Sequence, residues 1–529
     1  MKFNPTAYQL EIYKQIQFGK SNLVINAVAG SGKTTTILKS IDLIPARNRL
    51  KIAFVAFNKR ISEELKRKLP SKITVSTMHG MGLYCIRHAN KGKLPKIDQY
   101  NQKLRRQLFE LAIQFDWLIQ SQLEFSEDFK LRIRDYVNQL VPLMDLCKLY
   151  LATDSKSIEL VSNRHGFNNL NNNDFSRIEF AFKSIYKTPD FSEISLADMI
   201  FYPAQEFVPM FKYDFVFVDE CQDLNKCQQK CVELMVKDGG RFIAVGDPKQ
   251  AIYGFQGSDI EAFESFSKRP NTKTLQLSDC FRCSKIIVEF AQVLNSNIRP
   301  SIKAEPGNID YGSYLDAESG DFVLCRLNAP LVSLCIKYLK RGIQASVSDA
   351  ELDVALKNMI KAHSSSSSSI QDLFNSVNTF IANLRSTLLG KGLSLEEVER
   401  NTDIQSFSDK LSVLQVLAHE CHSPIDIIRK IDSIFSSDSD GIILSSIHKS
   451  KGLEAHRVFI LGDELMPLKK AELDWEKEQE KNLMYVAYTR AKSELIFIQD
   501  IDDYTEPGYG SLKRSERLDT FLRSKYATY

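Results

Sequence analysis

The segment that most constrains the fold of this chain is a glycine-containing loop near its start. Residues 27–34 read AVAGSGKT, and the overlapping residues 23–28 read LVINAV, a short apolar run rich in β-branched side chains. Such a run is typical of a buried parallel strand, whereas the following TTTILKSIDLI has helical spacing. This order places inward-facing backbone N–H groups at a helix N-terminus. The segment therefore predicts a loop that holds phosphate oxygens.

The side chains of this loop indicate a nucleoside triphosphate with Mg²⁺. Lys33 would reach the β- and γ-phosphates, and the Thr34 hydroxyl would ligate Mg²⁺. The strict pattern begins with glycine, whereas this chain has Ala27 there. The simpler alternative is a strand–helix turn without a ligand, but the G-K-T sequence in this context favours a nucleotide. We assign ATP to the loop residues Ala29, Gly30, Ser31, Gly32, Lys33, Thr34 and Thr35.

The composition is that of an ordinary globular protein. The 529 residues suggest roughly three or four domains, and 43% of them are hydrophobic. A net charge of +3 predicts that any nucleic-acid site is a local channel. The ten cysteines follow no zinc or disulfide framework. Because the sequence also shows no signal peptide and no apolar stretch of membrane-spanning length, we expect a cytoplasmic protein that does not bind membranes.

Apolar runs of β type predict two sheets. The first set of runs is Leu23–Val28, Lys51–Phe57, Ile73–Thr77, Phe215–Val218 and Phe242–Val245. The second set is Thr274–Leu277, Phe322–Cys325, Ile442–Ile447, Val458–Leu461 and Leu495–Ile498. A long, mainly helical segment interrupts each set, and a structureless loop of that length is improbable. The pattern predicts an α/β fold with two doubly wound parallel sheets, each with an inserted helical subdomain.

Two consecutive acids follow one of the apolar runs. Residues 213–225 read YDFVFVDECQDLN, so Asp219 and Glu220 come at the carboxyl end of a buried strand. Asp219 can hold Mg²⁺ through its water shell, and Glu220 can polarise the attacking water as general base. An acidic turn after a strand is the alternative, and the strongly apolar strand favours the functional interpretation.

A second strand-and-loop segment carries an amide and two aromatic rings. Residues 242–259 read FIAVGDPKQAIYGFQGSD. Gln250 stands where a γ-phosphate could be sensed. Tyr253 and Phe255 could stack on bases, or they could pack beneath the loop, and for Phe255 both interpretations stay open.

Taken together, a set of motifs runs in order along nearly the whole chain. They are Gln9, AGSGKT, AFNK (56–59), STMHG (76–80), DECQD, GDPKQAIYGF, CFR (280–282), HKSKGLE (448–454) and YVAYTRAK (485–492). In this order and spacing the chain resembles superfamily 1 DNA helicases of the UvrD/Rep type, and among them the short forms related to the F-box helicases. The resemblance implies two RecA-like motor domains with ATP between them, two inserted subdomains, and 3′-to-5′ movement on single-stranded DNA.

The strand pattern and the resemblance together predict a division of the chain into four parts. The first motor domain takes residues 1–89 and 196–270, and residues 90–195 form its helical insertion. The second motor domain takes residues 271–328 and 441–529, and residues 329–440 form a small helical insertion.

The resemblance also assigns roles to residues outside the loop. Gln9 matches an adenine-reading glutamine, although Thr6 to Gln9 is also a capping box, and the two are compatible. Phe281 matches an aromatic residue that stacks on adenine, Arg282 a γ-phosphate arginine, and Arg490 an arginine finger. Glu454 matches a residue near the ribose, with a simple solvated glutamate as the alternative. Residues aligned with strand-contacting motifs are Phe57, Asn58, Thr77, His79, Tyr253, Phe255, His448 and Lys449.

These predictions describe an ATP-hydrolysing DNA helicase or translocase that uses ATP and Mg²⁺. The expected catalytic residues are Lys33, Glu220, Gln250, Arg282 and Arg490, with Thr34 and Asp219 at the metal. The expected function is the unwinding of duplex DNA in replication, repair or recombination. The expected partners are single-stranded DNA and single/double-strand junctions, with protein partners in replication or repair left unidentified. Two alternatives stay open: a translocase that strips proteins from single strands without unwinding, and a non-motor ATP switch in a repair or defence complex.

Overall fold

The computed structural model describes residues 4–45, 47–118, 127–167, 169–254, 257–259, 261–365, 368–390, 395–435, 441–468, 471, 473–499 and 514–526. The chain divides into two compact units, Met1–Ala27 with Gly32–Leu277, and Val28–Ser31 with Ser278–Tyr529. Each unit contains a six-stranded sheet whose neighbouring strands are all parallel. The prediction of an α/β fold with two parallel sheets is confirmed.

The elements of the first unit begin with a helix and then alternate between strands and helices, except for four consecutive helices within residues 102–185. Its strands are β1 (Asn22–Ala27), β2 (Ile52–Ala56), β3 (Thr74–Thr77), β4 (Lys96–Ile97), β5 (Glu193–Ile194), β6 (Tyr213–Val218), β7 (Val236–Gly246) and β8 (Thr272–Leu277). Its helices are α1 (Ala7–Phe18), α2 (Lys33–Asp42), α3 (Lys59–Lys68), α4 (Met78–Ala89), α5 (Gln102–Gln114), α6 (Glu127–Tyr150), α7 (Ser155–Arg164), α8 (Asn172–Ile185), α9 (Asp198–Ala204), α10 (Lys226–Met235) and α11 (Ala262–Ser267).

The first sheet has the order β3-β2-β6-β7-β1-β8. Its two faces belong to two hydrophobic clusters, because alternate residues of a strand point to opposite sides. In β1, Leu23 and Ile25 pack in one cluster with Ile37 of α2, whereas Val24 packs in the other with Met78 of α4. Burial on both faces explains why the strands read as continuous apolar runs. The order also makes β6, β7 and β1 direct neighbours.

The strand β8 corrects one prediction. The sequence pattern places the run Thr274–Leu277 in the second sheet, but β8 pairs in parallel with β1 of the first sheet, with Leu23 opposite Lys273. That assignment is wrong, because an apolar run predicts a strand without specifying its neighbour. As an edge strand, β8 is mostly accessible, and only Leu277 is buried.

The described part of residues 90–195 is mainly helical, as expected, and contains α5 to α8. A short parallel pair, which the sequence pattern did not predict, closes this segment. Lys96 of β4 lies opposite Glu193 of β5, and their side chains form an ion pair of 2.6 Å. The pair joins the start of the segment to its end.

The second unit also combines strands with helices. Its strands are β9 (Asp279–Cys280), β10 (Arg299–Pro300), β11 (Asn308–Gly312), β12 (Phe322–Cys325), β13 (Ala345–Val347), β14 (Ile442–Ser446), β15 (Ala455–Leu461) and β16 (Ala491–Ile498). Its helices are α12 (Lys285–Ala291), α13 (Asn328–Lys340), α14 (Ala350–His363), α15 (Ile370–Gly390), α16 (Leu395–Arg400), α17 (Thr402–Ala418), α18 (Pro424–Ile434), α19 (Asp474–Tyr488) and α20 (Glu516–Tyr526).

The second sheet has the order β11-β16-β15-β12-β14-β13. The edge strand β13 was not predicted from the sequence, and it pairs with β14 although it lies inside residues 329–440. The helices α14 to α18 follow β13, so the rest of the described segment is helical. The division into four subdomains stays a prediction.

Two further expectations concern the cysteines and the membrane. All ten cysteines are free thiols, and nine of them are buried. In the part of the chain that the structure describes, no helix has the length and apolarity needed to cross a bilayer.

Candidate active site

The glycine-containing loop follows β1 and leads directly into α2. Gly30 and Gly32 have φ angles of +67° and +75°, a region that glycine adopts at little cost. A Cβ added to Gly32 would meet nothing within 4 Å. Ser31 is fully buried, and its hydroxyl has no hydrogen-bond partner in the structure. The open space at Gly32, the start of a helix and the unpaired buried hydroxyl of Ser31 fit the phosphate oxygens of a nucleotide.

Lys33, the first residue of α2, lies among buried carboxylates. Its Nζ is 2.9 Å from Oε1 of Glu220, and only 12% of the Lys33 side chain is exposed. Burial works against the charged form, yet the Glu220 and Asp247 carboxylates outweigh it and raise the pKa of Lys33. The lysine is therefore held as a cation at the carboxyl edge of the first sheet.

The acid pair follows β6, the strand that lies between β2 and β7. Asp219 is buried, and its Oδ1 accepts the Glu220 N–H at 3.0 Å. Burial raises the pKa of Asp219 to about 7, the Glu220 carboxylate adds to this effect, and Lys33 opposes it. Glu220 itself has a positive φ of 50°, in the left-handed region. Strain of this kind at a non-glycine residue is often found at functional sites.

The metal prediction concerns Thr34 and Asp219. Thr34 is half-buried in the first turn of α2, and Asp219 directly follows β6. No group of three or more His, Cys, Asp or Glu side chains that could hold a metal occurs among the described residues. A hydroxyl and one carboxylate suit Mg²⁺, which commonly binds through one or two carboxylates, waters and substrate phosphates.

Gln250 belongs to a hydrogen-bonded network that reaches the acid pair. Its Nε2 donates to Oδ2 of Asp247 at 2.6 Å, and the Asp247 N–H donates to Oε1 of Gln222 at 3.0 Å. Nε2 of Gln222 donates to Oε2 of Glu220 at 2.6 Å. Sequence reasoning did not single out Gln222 or Asp247. Their position at the carboxyl ends of two adjacent strands is the signal that could have found them.

Gln9 has both a structural and an open functional interpretation. Thr6 and Gln9 form the predicted capping box, with Oε1 of Gln9 accepting the Thr6 N–H at 3.1 Å. Nε2 of Gln9 donates to Thr36 in α2 at 3.0 Å, and Gln9 is 2% exposed. The side chain thus ties α1 to the helix that follows the phosphate loop, while its contact with adenine stays a prediction.

The nucleotide residues predicted beyond residue 280 lie in the second unit. Phe281 follows β9 and is 50% exposed, which leaves a ring face accessible. Nε of Arg282 donates to Glu454 at 2.6 Å, and Lys492 pairs with the same carboxylate at 2.8 Å. Burial raises the pKa of Glu454, but Lys492 and Arg282 outweigh it and lower the pKa. Glu454 is thus an ion-paired residue that orients Arg282, and its ribose role stays a prediction.

Arg490 follows α19 and is almost completely buried, at 1% exposure. Its Nε donates to the Val486 carbonyl at 2.9 Å, and Nη1 donates to the Leu453 carbonyl at 3.2 Å. A buried arginine held by backbone carbonyls is not an ordinary surface charge. These bonds fix the direction of the guanidinium.

The residues of the first unit that are predicted to contact single-stranded DNA include one aromatic pair and two helix caps. The rings of Phe57 and Tyr253 stack with their centroids 5.6 Å apart. Asn58 caps α3 and Thr77 caps α4 through their side-chain oxygens. Burial lowers the pKa of His79. Phe255 lies outside the described residues.

The residues of the second unit that are predicted to contact single-stranded DNA, His448 and Lys449, follow β14. Burial lowers the pKa of His448 to about 3, and the positive charges of Arg326, Lys449 and Lys451 add to the effect. Nζ of Lys449 lies 2.5 Å from Oε2 of Glu351. Lys449 is therefore ion-paired, and a phosphate would have to replace that carboxylate.

Comparison with known proteins identifies the family of this site. Residues 9–271 match the sequence model of the UvrD/REP helicase N-terminal domain, and residues 441–498 match that of the UvrD-like helicase C-terminal domain. The F-box DNA helicase protein 1 of Schizosaccharomyces pombe is 27% identical over 90% of this chain and 55% of its own length. The ATP-dependent DNA helicase Rep of Buchnera aphidicola is 26% identical over 57% of this chain and 45% of its own.

A shorter match has a higher sequence identity. The ATP-dependent DNA helicase PcrA of Staphylococcus aureus is 38% identical over 88 residues, which is 16% of this chain and 12% of that protein. The chain spans about half the length of the curated relatives from Schizosaccharomyces pombe and Buchnera aphidicola. The two domain matches include five strands of the first sheet and three strands of the second, and the chain belongs to the UvrD/Rep family of helicases.

Proposed function

We propose that this chain is an ATP-hydrolysing motor that moves 3′-to-5′ along single-stranded DNA and unwinds duplex DNA. The observation that carries the proposal is the convergence of Lys33, Glu220 and Gln250 at the adjacent carboxyl ends of β1, β6 and β7. In open parallel sheets this edge is where ligands bind. Membership of the UvrD/Rep family and relatives named as DNA helicases support DNA as the partner.

Binding of ATP is the first step of the proposed cycle. The backbone N–H groups of residues 29–35 and the Ser31 hydroxyl would take the phosphate oxygens, with Lys33 turning from Glu220 toward the β- and γ-phosphates. Thr34 and Asp219 would hold Mg²⁺, which neutralises phosphate charge when bound. Release of Lys33 frees the Glu220 carboxylate for its role as general base.

Hydrolysis is the second step. Glu220 would accept a proton from the attacking water, a contribution typically worth about 10²–10⁴ in rate. Gln250 would contact the γ-phosphate, because its amide lies on the loop that follows the neighbouring strand. Arg282 and Arg490 would stabilise charge that develops on the transferred phosphoryl group, the role that family resemblance assigns to them.

Contact with DNA is the third step. The stacked Phe57 and Tyr253 rings offer faces for bases, which fits a grip that is independent of sequence. Tyr253 lies three residues beyond Gln250 on the same loop. Binding of a strand at the ring pair could thus be transmitted to the phosphate sensor along a short segment of backbone.

An unwinding assay tests the proposal. Duplexes with a 3′ tail, a 5′ tail or no tail are incubated with ATP and Mg²⁺, and the released strand is measured. We expect release only from the duplex with the 3′ tail. Equal release from both tailed duplexes would reject the polarity. Streptavidin displaced from single strands without any unwinding would instead identify a translocase that strips proteins.

A non-motor ATP switch is the alternative from a different functional class. Such a protein needs to bind the nucleotide and could dispense with hydrolysis. The presence of Lys33, Glu220 and Gln250 at one end of the first sheet argues against a switch, because a switch could dispense with these groups.

A further inference from the structure

We propose that Gln222 is a positioning residue that couples the Glu220 carboxylate to the loop carrying Gln250 and Tyr253. The inference rests on the proposed function and adds to it a residue that links hydrolysis to strand binding. Gln222 is 1% exposed and lies between the acid pair and the end of β7. Gln222 acts through the two groups that it joins and not through contact with the nucleotide.

Both ends of the Gln222 amide have a defined partner. Nε2 donates to Oε2 of Glu220 at 2.6 Å and to Oδ2 of Asp223 at 3.2 Å. Oε1 accepts the Asp247 N–H at 3.0 Å. Carboxylates on one side and a backbone N–H on the other allow only one orientation of the amide. Gln222 therefore fixes the distance between the Glu220 carboxylate and the backbone that follows β7.

The link continues from Asp247 into the loop. The Asp247 carboxylate accepts from Nε2 of Gln250 at 2.6 Å and from the Lys249 N–H at 3.1 Å. Asp247 is fully buried, so these bonds form away from bulk water, where they hold their geometry firmly. A displacement of the loop at Tyr253 would move Asp247, and through Gln222 it would move the Glu220 carboxylate.

The backbone at Gly246 leaves space for the side-chain amide of Gln222. A Cβ placed on Gly246 would overlap Oε1 of Gln222, so glycine is required for the contact. Leu or Met at position 222 could fill the space but could not bridge a carboxylate and a backbone N–H, and Asn is too short to reach both. The buried glutamine is thus explained by the link it forms.

The test compares Gln222→Met with a matched variant, Gln229→Met. Gln229 is also buried in the first unit, and its Nε2 donates to the Leu224 carbonyl and to Asp259 without reaching Glu220. For each protein we would measure kcat and KM for ATP with and without single-stranded DNA. Loss of a hydrogen bond to a charged group corresponds to a decrease of about 10- to 100-fold in a rate or equilibrium constant. We expect kcat of Gln222→Met to fall by about that factor and most DNA stimulation to be lost, with KM unchanged.

A structural role alone would give a different result. If Gln222→Met and Gln229→Met lose activity equally, or if Gln222→Met keeps the wild-type ratio of DNA-stimulated to basal rate, the proposal is wrong. Gln222→Glu covers the case in which Gln222→Met does not fold. It keeps an oxygen for the Asp247 N–H and loses the donor to Glu220, so we expect the same loss of kcat, and wild-type kcat would overturn the link.

A double-mutant cycle with Gln250→Met tests whether the two amides act together. Residues in one hydrogen-bonded network show non-additive effects, whereas independent residues add. We expect the double variant to lose much less than the product of the single losses, and a loss equal to the product would contradict the link. If the wild-type protein hydrolyses ATP but shows no response to DNA, the proposed function fails first and the inference fails with it.

Discussion

Nζ of Lys33 lies 2.9 Å from Oε1 and 3.1 Å from Oε2 of Glu220, so the lysine assigned to the phosphates is paired with the residue assigned as general base. The charge of each group neutralises that of the other at the carboxyl ends of the strands of the first sheet. An incoming triphosphate can replace the carboxylate as partner of the lysine. Binding of the nucleotide and release of the base are then one event.

The first prediction follows from this pair. Lys33→Ala removes the cation that would neutralise the transferred phosphate, and we expect ATP turnover to fall by at least about 100-fold. Steady-state phosphate release measures the loss, with circular dichroism to confirm that the protein is folded. Lys68→Ala is the matched control, because Lys68 forms an exposed Lys–Glu pair of 2.5 Å in the same unit. Near-normal turnover in folded Lys33→Ala would reject the nucleotide site.

The second prediction concerns the stacked rings. Tyr253→Ala removes a stacking face, so the free energy of binding to single-stranded DNA should become less favourable by about 1–3 kcal/mol. Basal ATP hydrolysis without DNA should stay close to that of the wild type, since Lys33 and Asp219 are untouched. Fluorescence anisotropy of a labelled oligonucleotide measures the affinity.

Tyr84→Ala is the matched control for the ring. Tyr84 is 57% exposed in the same unit, and its ring centroid lies 5.0 Å from that of Phe211. Its loss should leave the affinity unchanged. If Tyr253→Ala binds single strands normally but loses basal hydrolysis, the loop serves the nucleotide alone.

The third prediction uses the pair formed by Lys449 and Glu351. Surface ion pairs are worth about 0–1 kcal/mol, so a DNA phosphate can displace Glu351 at little cost. Glu351→Gln should therefore strengthen single-strand binding. Lys449→Ala should reduce the slope of log affinity against log salt by about 0.7. Lys340→Ala, which breaks the exposed pair with Glu420 at 2.8 Å, should change neither quantity. An unchanged slope in Lys449→Ala would remove this residue from the DNA site.

The fourth prediction concerns His448 and acid stability. The pKa of His448 is lowered from 6.5 to about 3, so the unfolded chain binds this proton more readily than the folded protein. The contribution to stability is complete above about pH 6.5 and is lost as the pH falls toward 3. The loss is at most about 1.4 kcal/mol per pH unit. His448→Gln should show a shallower decline in the free energy of unfolding.

Urea unfolding between pH 7 and pH 4 measures this difference. Trp475 lies in the second unit with His448, and Trp117 lies in the first. A Trp117→Phe background would leave fluorescence from the second unit alone. Identical declines in the two proteins would show that His448 is not buried as a neutral ring.

Much of the site could be predicted from the sequence, because local patterns specify local structure. The apolar runs before Asp219 and Asp247 predicted β6 and β7, and the capping box at Thr6 was confirmed. The sheet membership of β8 could not be predicted, since strand pairing is set by contacts distant in sequence. Gln222 was missed for the same reason: its partner Asp247 is 25 residues away.

The dependence of ATP hydrolysis on single-stranded DNA tests the central claim most directly. ATP turnover of the wild-type protein is measured while an oligonucleotide without secondary structure is titrated, with Glu220→Gln as the blank. Glu220→Gln should bind ATP and Mg²⁺ and hydrolyse ATP about 10²- to 10⁴-fold more slowly. We expect the wild-type rate to rise to a plateau with added DNA. A measurable wild-type rate that does not respond to DNA would contradict the account of this protein as a DNA motor.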